Sequence, residues 1–325
     1  MNMKKNIAII MGGYSSEIDI SIKSGNVVYS HLSKEKFNAF RVLILKEKWV
    51  VLDAQEYEFP IDKNDFSFTQ NNIKTTFDCV FNAIHGAPGE NGQLLAYFNL
   101  INLKHTSAPF YQMALTFNKR DTLSAVKAYG IKTATSIYLN KGAKINLDYI
   151  ISTVGLPCFI KPNNAGSSYG ISKVHTKNEI LPALEKAYKE DSEILIESFL
   201  DGTEVSVGII QYRGETKVLP ITEIISENDF FDYEAKYEGK SQEITPARIS
   251  LAQQAKVEKV AKKVYEILNI SGFSRSEFIF VHSEPYFIEI NTVPGLTEES
   301  ILPQQAQVAG ISLAELFESA IAAAL

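Results

Sequence analysis

At 325 residues the chain is longer than one ordinary hydrophobic core organises, so two or three domains are expected. Hydrophobic residues at 45% with charged residues at 22% exclude a disordered or membrane-embedded chain. A net charge of −6 excludes a broad nucleic-acid surface, which needs a basic footprint, so any phosphate site has to be locally basic.

Lys4-Lys5 followed by Ile7 to Met11 has the outline of a signal peptide. The apolar run stops at Gly12-Gly13, too soon for such a segment, and reads instead as a first strand from Asn6 to Met11. No apolar run approaches the roughly 20 residues that a membrane helix needs. Ser16 with Asp19 gives a capping-box-like helix start. Asp78 to Ile84 reads as a second buried strand, followed by His85-Gly-Ala-Pro-Gly-Glu-Asn-Gly92 and a helix from Gln93 to Leu100. Strands and helices are thus expected to alternate through the first hundred residues, as in an α/β layer with a mostly parallel sheet. Both glycine-rich turns follow strands and open helices, at the sheet end where ligands lie. Cys79 and Cys158 sit in apolar strand-like contexts that suit buried free thiols, and the expected compartment is the cytoplasm.

Further on, the pattern predicts a helix from Lys119 to Tyr129 and a strand from Cys158 to Lys161 that runs into a Gly/Ser-rich loop. Strands follow at Ile194 to Glu197 and Val205 to Gln211. An amphipathic helix spans Val257 to Leu268, and a last helix spans Leu313 to Ala324. The expected division is 1–100, 101–187 and 188–325.

The most informative stretch is Arg275 to Asn291, which reads as a hairpin turning at His282-Ser283-Glu284-Pro285. Alternation places Arg275, Glu277 and Ile279 on one face of the first arm and Phe287, Glu289 and Asn291 on one face of the second. If the hairpin is symmetric about Ser283, Glu277 faces Glu289 and Arg275 faces Asn291, with opposed Cβ atoms roughly 4.5–5.5 Å apart. Facing carboxylates repel unless a cation lies between them. Two carboxylates and an amide oxygen are hard ligands of the kind that hold Mg²⁺ together with substrate phosphates. A solvated strand face is the plain alternative.

Lys161-Pro-Asn-Asn-Ala-Gly-Ser-Ser-Tyr-Gly170 sets a lysine at a strand end before a loop rich in backbone donors, suited to phosphate oxygens. Neither a Walker A loop nor a Gly-x-Gly-x-x-Gly turn is present: Gly239-Lys240-Ser241 has Glu234 where the leading glycine belongs. Glu197 and Glu204 flank a connector containing Phe199 and Leu200, able to take an adenine amino group and ribose hydroxyls against an apolar wall. A solvated turn accounts for the same residues equally well. Phe230-Phe-Asp-Tyr-Glu-Ala-Lys-Tyr237 has no regular apolar period and reads as an ordered loop or lid. The histidines offer no metal-ligand spacing, and only His85 lies in a glycine-rich turn after a strand.

As an ordered set these motifs resemble the ATP-grasp superfamily and, within it, the D-alanine–D-alanine ligase family. The set runs from Gly12-Gly-Tyr-Ser-Ser-Glu17 with Ser21, through His85-Gly-x-x-Gly-Glu-x-Gly92, Lys119-Arg-Asp121 and the Lys161 loop, to Asp232-Tyr-Glu-Ala-Lys-Tyr237. It ends with Arg275-x-Glu277, Glu289-x-Asn291 and Pro294-Gly-x-Thr-x-x-Ser300. The resemblance implies an α/β chain, α+β in its C-terminal half, with ATP between the central and C-terminal domains. It implies ligation of two D-alanine molecules through a D-alanyl phosphate, for peptidoglycan synthesis, in a homodimeric cytoplasmic enzyme.

By the same resemblance, Lys119, Lys161 and Lys236 hold the ATP phosphates while Glu197, Phe199, Leu200 and Glu204 receive adenine and ribose. Glu277, Glu289 and Asn291 hold two Mg²⁺ or Mn²⁺ ions. Glu17 takes the ammonium of the first D-alanine, and His85 assists near the substrate amine and carboxylate. Arg275 stabilises the acyl phosphate and Ser300 binds the second carboxylate. Ser167 and Tyr237 link to Glu17 as the lid closes. Glu277 stands where many relatives have Asp, which lengthens that arm. Tyr237 favours an amino-acid acceptor over D-lactate, the first rival substrate. The second rival is a nucleotide-binding regulator without catalysis.

Overall fold

The unbroken apolar run after Asn6 forms β1 (Lys5–Gly12), a strand covered on both faces. In the computed structural model, which describes residues 4–164, 169–226 and 241–325, its side chains alternate between two cores. Ile7 and Ile9 join Val28, Phe81 and Phe317, while Ala8 and Ile10 join Val42, Leu95 and Phe98. The first helix, α1 (Ile18–His31), leads into β2 (Phe37–Ile44), β3 (Trp49–Leu52), β4 (Glu58–Asp62), β5 (Ser67–Gln70) and β6 (Ile73–Thr75). Then come β7 (Cys79–Asn82), α2 (Gln93–Leu100) and β8 (Lys104–His105). Their sheet has the order β6-β5-β4-β3-β2-β1-β7-β8.

Only the β2-β1-β7-β8 half is parallel; β3 to β6 form an antiparallel meander. The expected alternation of strands and helices is therefore corrected between β2 and β7, where tight turns replace crossover helices. Asn71 and Asn72, at φ 51° and 62°, make the two-residue turn that such a hairpin demands. The expected capping box is corrected too. Ser16 is exposed and Glu17 occupies the N-cap of α1 without a side-chain cap bond. What seats α1 on the sheet is Gly25: a Cβ there would lie 2.8 Å from Met11 Cβ and 2.9 Å from its Sδ.

After α3 (Phe110–Phe117) and α4 (Lys119–Ala128), the second sheet is antiparallel. It contains β9 (Ser136–Asn140), β10 (Cys158–Pro162), β11 (Ser172–Val174) and β12 (Glu193–Ser198) in the order β11-β10-β12-β9. Its apolar side, including Ile137, Ile160 and Ile196, packs on α5 (Leu147–Val154) and α6 (Ile180–Ala187). Because β12 pairs with β9 and β10, this sheet extends past residue 187 to Ser198.

The third sheet holds β13 (Thr203–Tyr212), β14 (Glu215–Val218), β15 (Thr222–Ser226), β16 (Ser241–Ile244), β17 (Ser274–Val281) and β18 (Glu284–Asn291). Its path is β16-β15-β13-β17-β18, with β14 on β13. Packed on it is α7 (Leu251–Ile267), which starts ahead of the expected Val257 because Ser250 and Gln253 complete a reciprocal capping box. The chain ends with α8 (Ile301–Val308) and α9 (Leu313–Ala324), whose Leu316, Phe317 and Ile321 return to the first sheet's core. Cys79 and Cys158 are free and buried. Among the described residues no single helix is long and apolar enough to cross a membrane.

The close approach at Gly25 yields a first test. Gly25→Ala should overpack α1 against Met11 and destabilise the fold by about 1–3 kcal/mol. A denaturation midpoint equal to that of the unsubstituted protein would show that the interface yields instead.

Candidate active site

At the carboxyl end of the first sheet, Gly12 and Gly13 adopt φ 101° and 111°, which ends β1 abruptly. Ser21, inside α1, then clamps two strand ends at once: its hydroxyl accepts from Gly12 N–H and donates to Ala83 carbonyl, both at 2.8 Å. This clamp holds the start of α1, and hence the buried Glu17, over the turn after β7.

His85 in that turn is fully engaged by its surroundings. Its Nδ1 lies 2.8 Å from Val293 carbonyl, which can only accept, so Nδ1 carries the proton and Nε2 accepts from Ser24 hydroxyl at 3.1 Å. Ser24 in turn accepts from Leu296 N–H at 3.2 Å. Burial pushes the imidazole below its usual range; Glu17 opposes the shift and Arg275 adds to it, so the ring stays neutral at pH 7. His85 therefore staples the first sheet to the segment after β18, in addition to lying beside the expected substrate residues.

Glu90, in the same turn, was left without a role by the motif reading. It is buried, and its carboxylate accepts from Gly86 N–H at 3.0 Å. A Cβ on Gly86 would lie 3.1 Å from a carboxylate oxygen of Glu17, so the two acids flank one glycine. Burial, and then the charge of Glu17, raise the Glu90 carboxyl to about 7.

The second and third sheets bring together a cluster of lysines and acids. Lys161 on β10 pairs with Glu197 on the adjacent β12 at 2.5 Å, both deeply buried. Burial pulls the ammonium down, yet Glu197, Glu289 and Glu204 together push it above its usual range, keeping it charged. Lys119, the first residue of α4, reaches Glu289 at 3.2 Å. Asn163 joins these elements: its carbonyl accepts from Lys119 N–H at 3.3 Å and its side chain accepts from Arg120 N–H at 2.8 Å. Glu197 Oε1 is buried with no hydrogen-bond partner among the described residues, an acceptor of the kind an adenine amino group satisfies. Nearby, Lys173 Nζ lies 4.4 Å from the centroid of the Phe199 ring, and Leu200 is half-buried.

The hairpin of β17 and β18 joins this cluster to the Glu17 end. Arg275 is opposite Asn291 and Glu277 is opposite Glu289, the pairs expected from the sequence. The route to that register differs. His282 and Ser283, at φ 47° and 64°, form a two-residue turn, and Glu284 and Pro285 already belong to β18. A register shift between Glu277 and Phe278 leaves Ile288 without an opposite residue. Phe287 consequently pairs with Phe278, ring centroids 5.7 Å apart and both buried, so the expectation that Phe287 shares the face of Glu289 is corrected.

Glu277, Glu289 and Asn291 offer only hard oxygen donors, the chemistry that suits Mg²⁺ or Mn²⁺ shared with phosphates. Among the described residues no three His, Cys, Asp or Glu side chains form a metal cluster, so a cation here would need Asn291 and further oxygens besides. Arg275 pairs with Glu277 and lies 3.4 Å from Ser206 hydroxyl. Both Arg275 and Ser300 line a cavity of about 670 Å³, whose walls also include Ile20, Lys23, Gly295 and Thr297. Ser300 precedes α8, its hydroxyl 2.7 Å from that of Thr297.

The structure thus gathers Glu17, His85, Arg275 and Ser300 toward one end, and Lys119, Lys161, Glu197, Glu204 and Glu289 toward the other. Ser167, Lys236, Tyr237 and the expected lid from Phe230 to Tyr237 lie outside the described residues. Sequence reasoning missed Ser24, Glu90 and Asn163. Each stands beside a residue it did single out, but what each does depends on a partner distant in the chain.

The family models for the D-ala D-ala ligase N-terminus and C-terminus match residues 6–108 and 125–322. The D-alanine--D-alanine ligase of Flavobacterium johnsoniae is 68% identical over 98% of this chain and 98% of its own. That of Christiangramia forsetii is 57% identical over 99% of each. Among solved structures, D-alanyl-alanine synthetase A from Vibrio cholerae superposes with a TM-score of 0.89 at 25% identity, covering 100% of this chain and 99% of that one. The Bacillus anthracis D-alanine--D-Alanine ligase complexed with ATP gives 0.79 at 26% identity, over 98% of this chain and 97% of the other. With both halves matched in order and relatives this similar along their full lengths, the chain belongs to the D-alanine–D-alanine ligase family and has its ATP-grasp fold.

Proposed function

We propose that the protein joins two D-alanine molecules into D-alanyl-D-alanine, consuming ATP and releasing ADP and phosphate, in the cytoplasmic synthesis of peptidoglycan precursors. One observation carries the reading: the register that faces Glu277 with Glu289 and Arg275 with Asn291, beside Lys119, at the junction of a cationic cluster and the Glu17 end. The family assignment of the whole chain supports it.

In this reading Glu17 holds the ammonium of the first D-alanine, leaving its carboxylate directed at the γ-phosphate. Lys119, Lys161 and Lys236 hold the phosphates, and Glu197, Phe199, Leu200 and Glu204 seat the adenosine. Glu277, Glu289 and Asn291 would hold two Mg²⁺ or Mn²⁺ ions, which supply neutralising charge for phosphoryl transfer. The γ-phosphoryl group moves to the carboxylate oxygen, giving D-alanyl phosphate and ADP. The second D-alanine, its carboxylate at Ser300, loses an ammonium proton and attacks the acyl carbon. Arg275 stabilises the oxyanion, and the C–O bond to phosphate breaks as the amide forms. By the family resemblance Ser167 and Tyr237 would link to Glu17, and exclusion of water would protect the acyl phosphate. We further propose three domains, 1–100, 101–187 and 188–325, and a homodimeric assembly; the pairing of β12 with β9 and β10 supports a second boundary nearer Ser198. No nucleic-acid or membrane partner is proposed.

Glu289→Gln keeps the side chain's size and removes one charge. ADP formation should fall by about 10²–10³-fold with little change in melting temperature. Near-normal turnover by a folded variant would remove Glu289 from the assignment.

Acceptor choice is a separate test, since the Enterococcus faecalis VanG D-Ala:D-Ser ligase has the same fold, with a TM-score of 0.87 at 28% identity over 99% of this chain and 100% of that one. Given ATP, Mg²⁺, D-alanine and equimolar D-serine and D-lactate at neutral pH, the main product should be D-alanyl-D-alanine. A dominant depsipeptide would reassign the acceptor to a hydroxy acid. Tight ATP binding with no D-alanine-dependent phosphate release would instead point to a regulator.

A further inference from the structure

Two acids meet at Gly86. Glu17 approaches the Cβ position and Glu90 accepts the N–H, and both are buried. Only Glu17 has a part in the reaction as derived above. Glu90 is firmly held: its own N–H donates to Gly86 carbonyl at 2.7 Å, and Asn82 braces the loop by donating to Gly89 carbonyl at 3.3 Å. A buried carboxyl beside a second acid is pushed toward its protonated form, against the pull of Lys119 and of the backbone N–H groups of Gly86 and Val293 toward the ionised one.

We propose that Glu90 is the second acid of the first substrate's ammonium site: it holds a proton while that site is free and releases it to solvent when the ammonium settles beside Glu17. The inference rests on the reading of Glu17 given above and goes beyond it by coupling donor binding to proton release. Glu90 touches neither reacting atom; it is a positioning residue that sets the charge of the pocket. Its carboxyl lies near 7, through burial first and Glu17 second, so both protonation states are within reach at neutral pH. Among the described residues, Lys119 favours its ionised form, and His85 and Arg275 lie near Glu17. Burial pushes His85 below its usual range, toward the neutral ring, whereas Glu90 is raised to about 7.

The test is calorimetric. D-alanine is titrated at pH 7 into the full-length protein loaded with Mg²⁺ and a non-hydrolysable ATP analogue, in two buffers of different ionisation enthalpy. Roughly half a proton should be released on account of Glu90, seen as a buffer-dependent heat that Glu90→Gln removes. In turnover, the KM for the first D-alanine should fall about three- to tenfold from pH 6 to pH 8 in the unsubstituted enzyme and stay flat in Glu90→Gln, with the KM for ATP unaffected in both.

Stability gives a check that needs no ligand. A carboxyl whose pKa is raised by folding stabilises the fold below its unfolded pKa near 4.5 and loses that contribution as pH rises through about 7. Glu90→Gln should therefore gain in melting temperature relative to the unsubstituted protein between pH 5 and pH 8. Buffer-independent heats in the unsubstituted protein, or an unchanged pH profile in the variant, would overturn the proposal. Absence of any D-alanine-dependent ADP formation by the unsubstituted protein would overturn the ligase reading instead.

Discussion

The placement of charge in this molecule depends on one surplus residue in β18. A two-residue turn at His282-Ser283, continued regularly, would set Ile288 against Glu277 and carry Glu289 to a different partner. The bulge at Ile288 restores the offset, so the acids face each other while Phe278 and Phe287 still meet in the core. A local irregularity thus serves packing and chemistry together: one face of the hairpin closes an apolar cluster and the other presents carboxylates. The burial pattern of β18 records the event, alternating from Glu284 to Ile288 and then shifting phase at Glu289.

A second constraint ties that hairpin to the first sheet. Leu296 N–H, Ser24, His85 and Val293 carbonyl form a buried run of hydrogen bonds from the segment after β18 into α1 and the turn after β7. Each donor in it has an acceptor, and leaving one of these groups unmatched in the interior would cost more than the net value of its bond. Glu17 caps α1 on the first sheet and Arg275 lies on β17 of the third, and this staple ties those two regions together. The return of α9 to the first sheet's core adds apolar contact to the same junction. The opposed carboxylates and lysines are the groups to which the proposed function gives a phosphorylated cosubstrate at one end and a zwitterion at the other.

Much of this was legible in the residues. The helices Gln93–Leu100 and Leu313–Ala324 fall where their apolar spacing puts them, and β1 and β10 lie within one residue of the runs that predict them. The pairs Glu277–Glu289 and Arg275–Asn291 followed from period-two alternation, although the supposed symmetry about Ser283 reached them without the bulge. The meander β3 to β6 was missed because its strands are short and carry polar residues, which weakens the periodic signal. Ser16 and Asp19 mimicked a capping box, but the strand-end clamp at Ser21 and the abrupt turn at Gly12-Gly13 fixed the helix start.

Residue type and spacing by themselves determined which groups were candidates for the chemistry: acids two apart on a strand, a lysine before a donor-rich loop, and a glycine turn after a buried strand. These are local properties, set by side-chain geometry within a few residues. Tertiary structure alone decided that Glu90 shares Gly86 with Glu17, that His85 is buried and bonded between Ser24 and Val293, and that Asn163 joins the Lys119 helix to the Lys161 strand. Burial and the approach of residues distant in the chain set ionisation and hydrogen bonding, and neither follows from sequence separation.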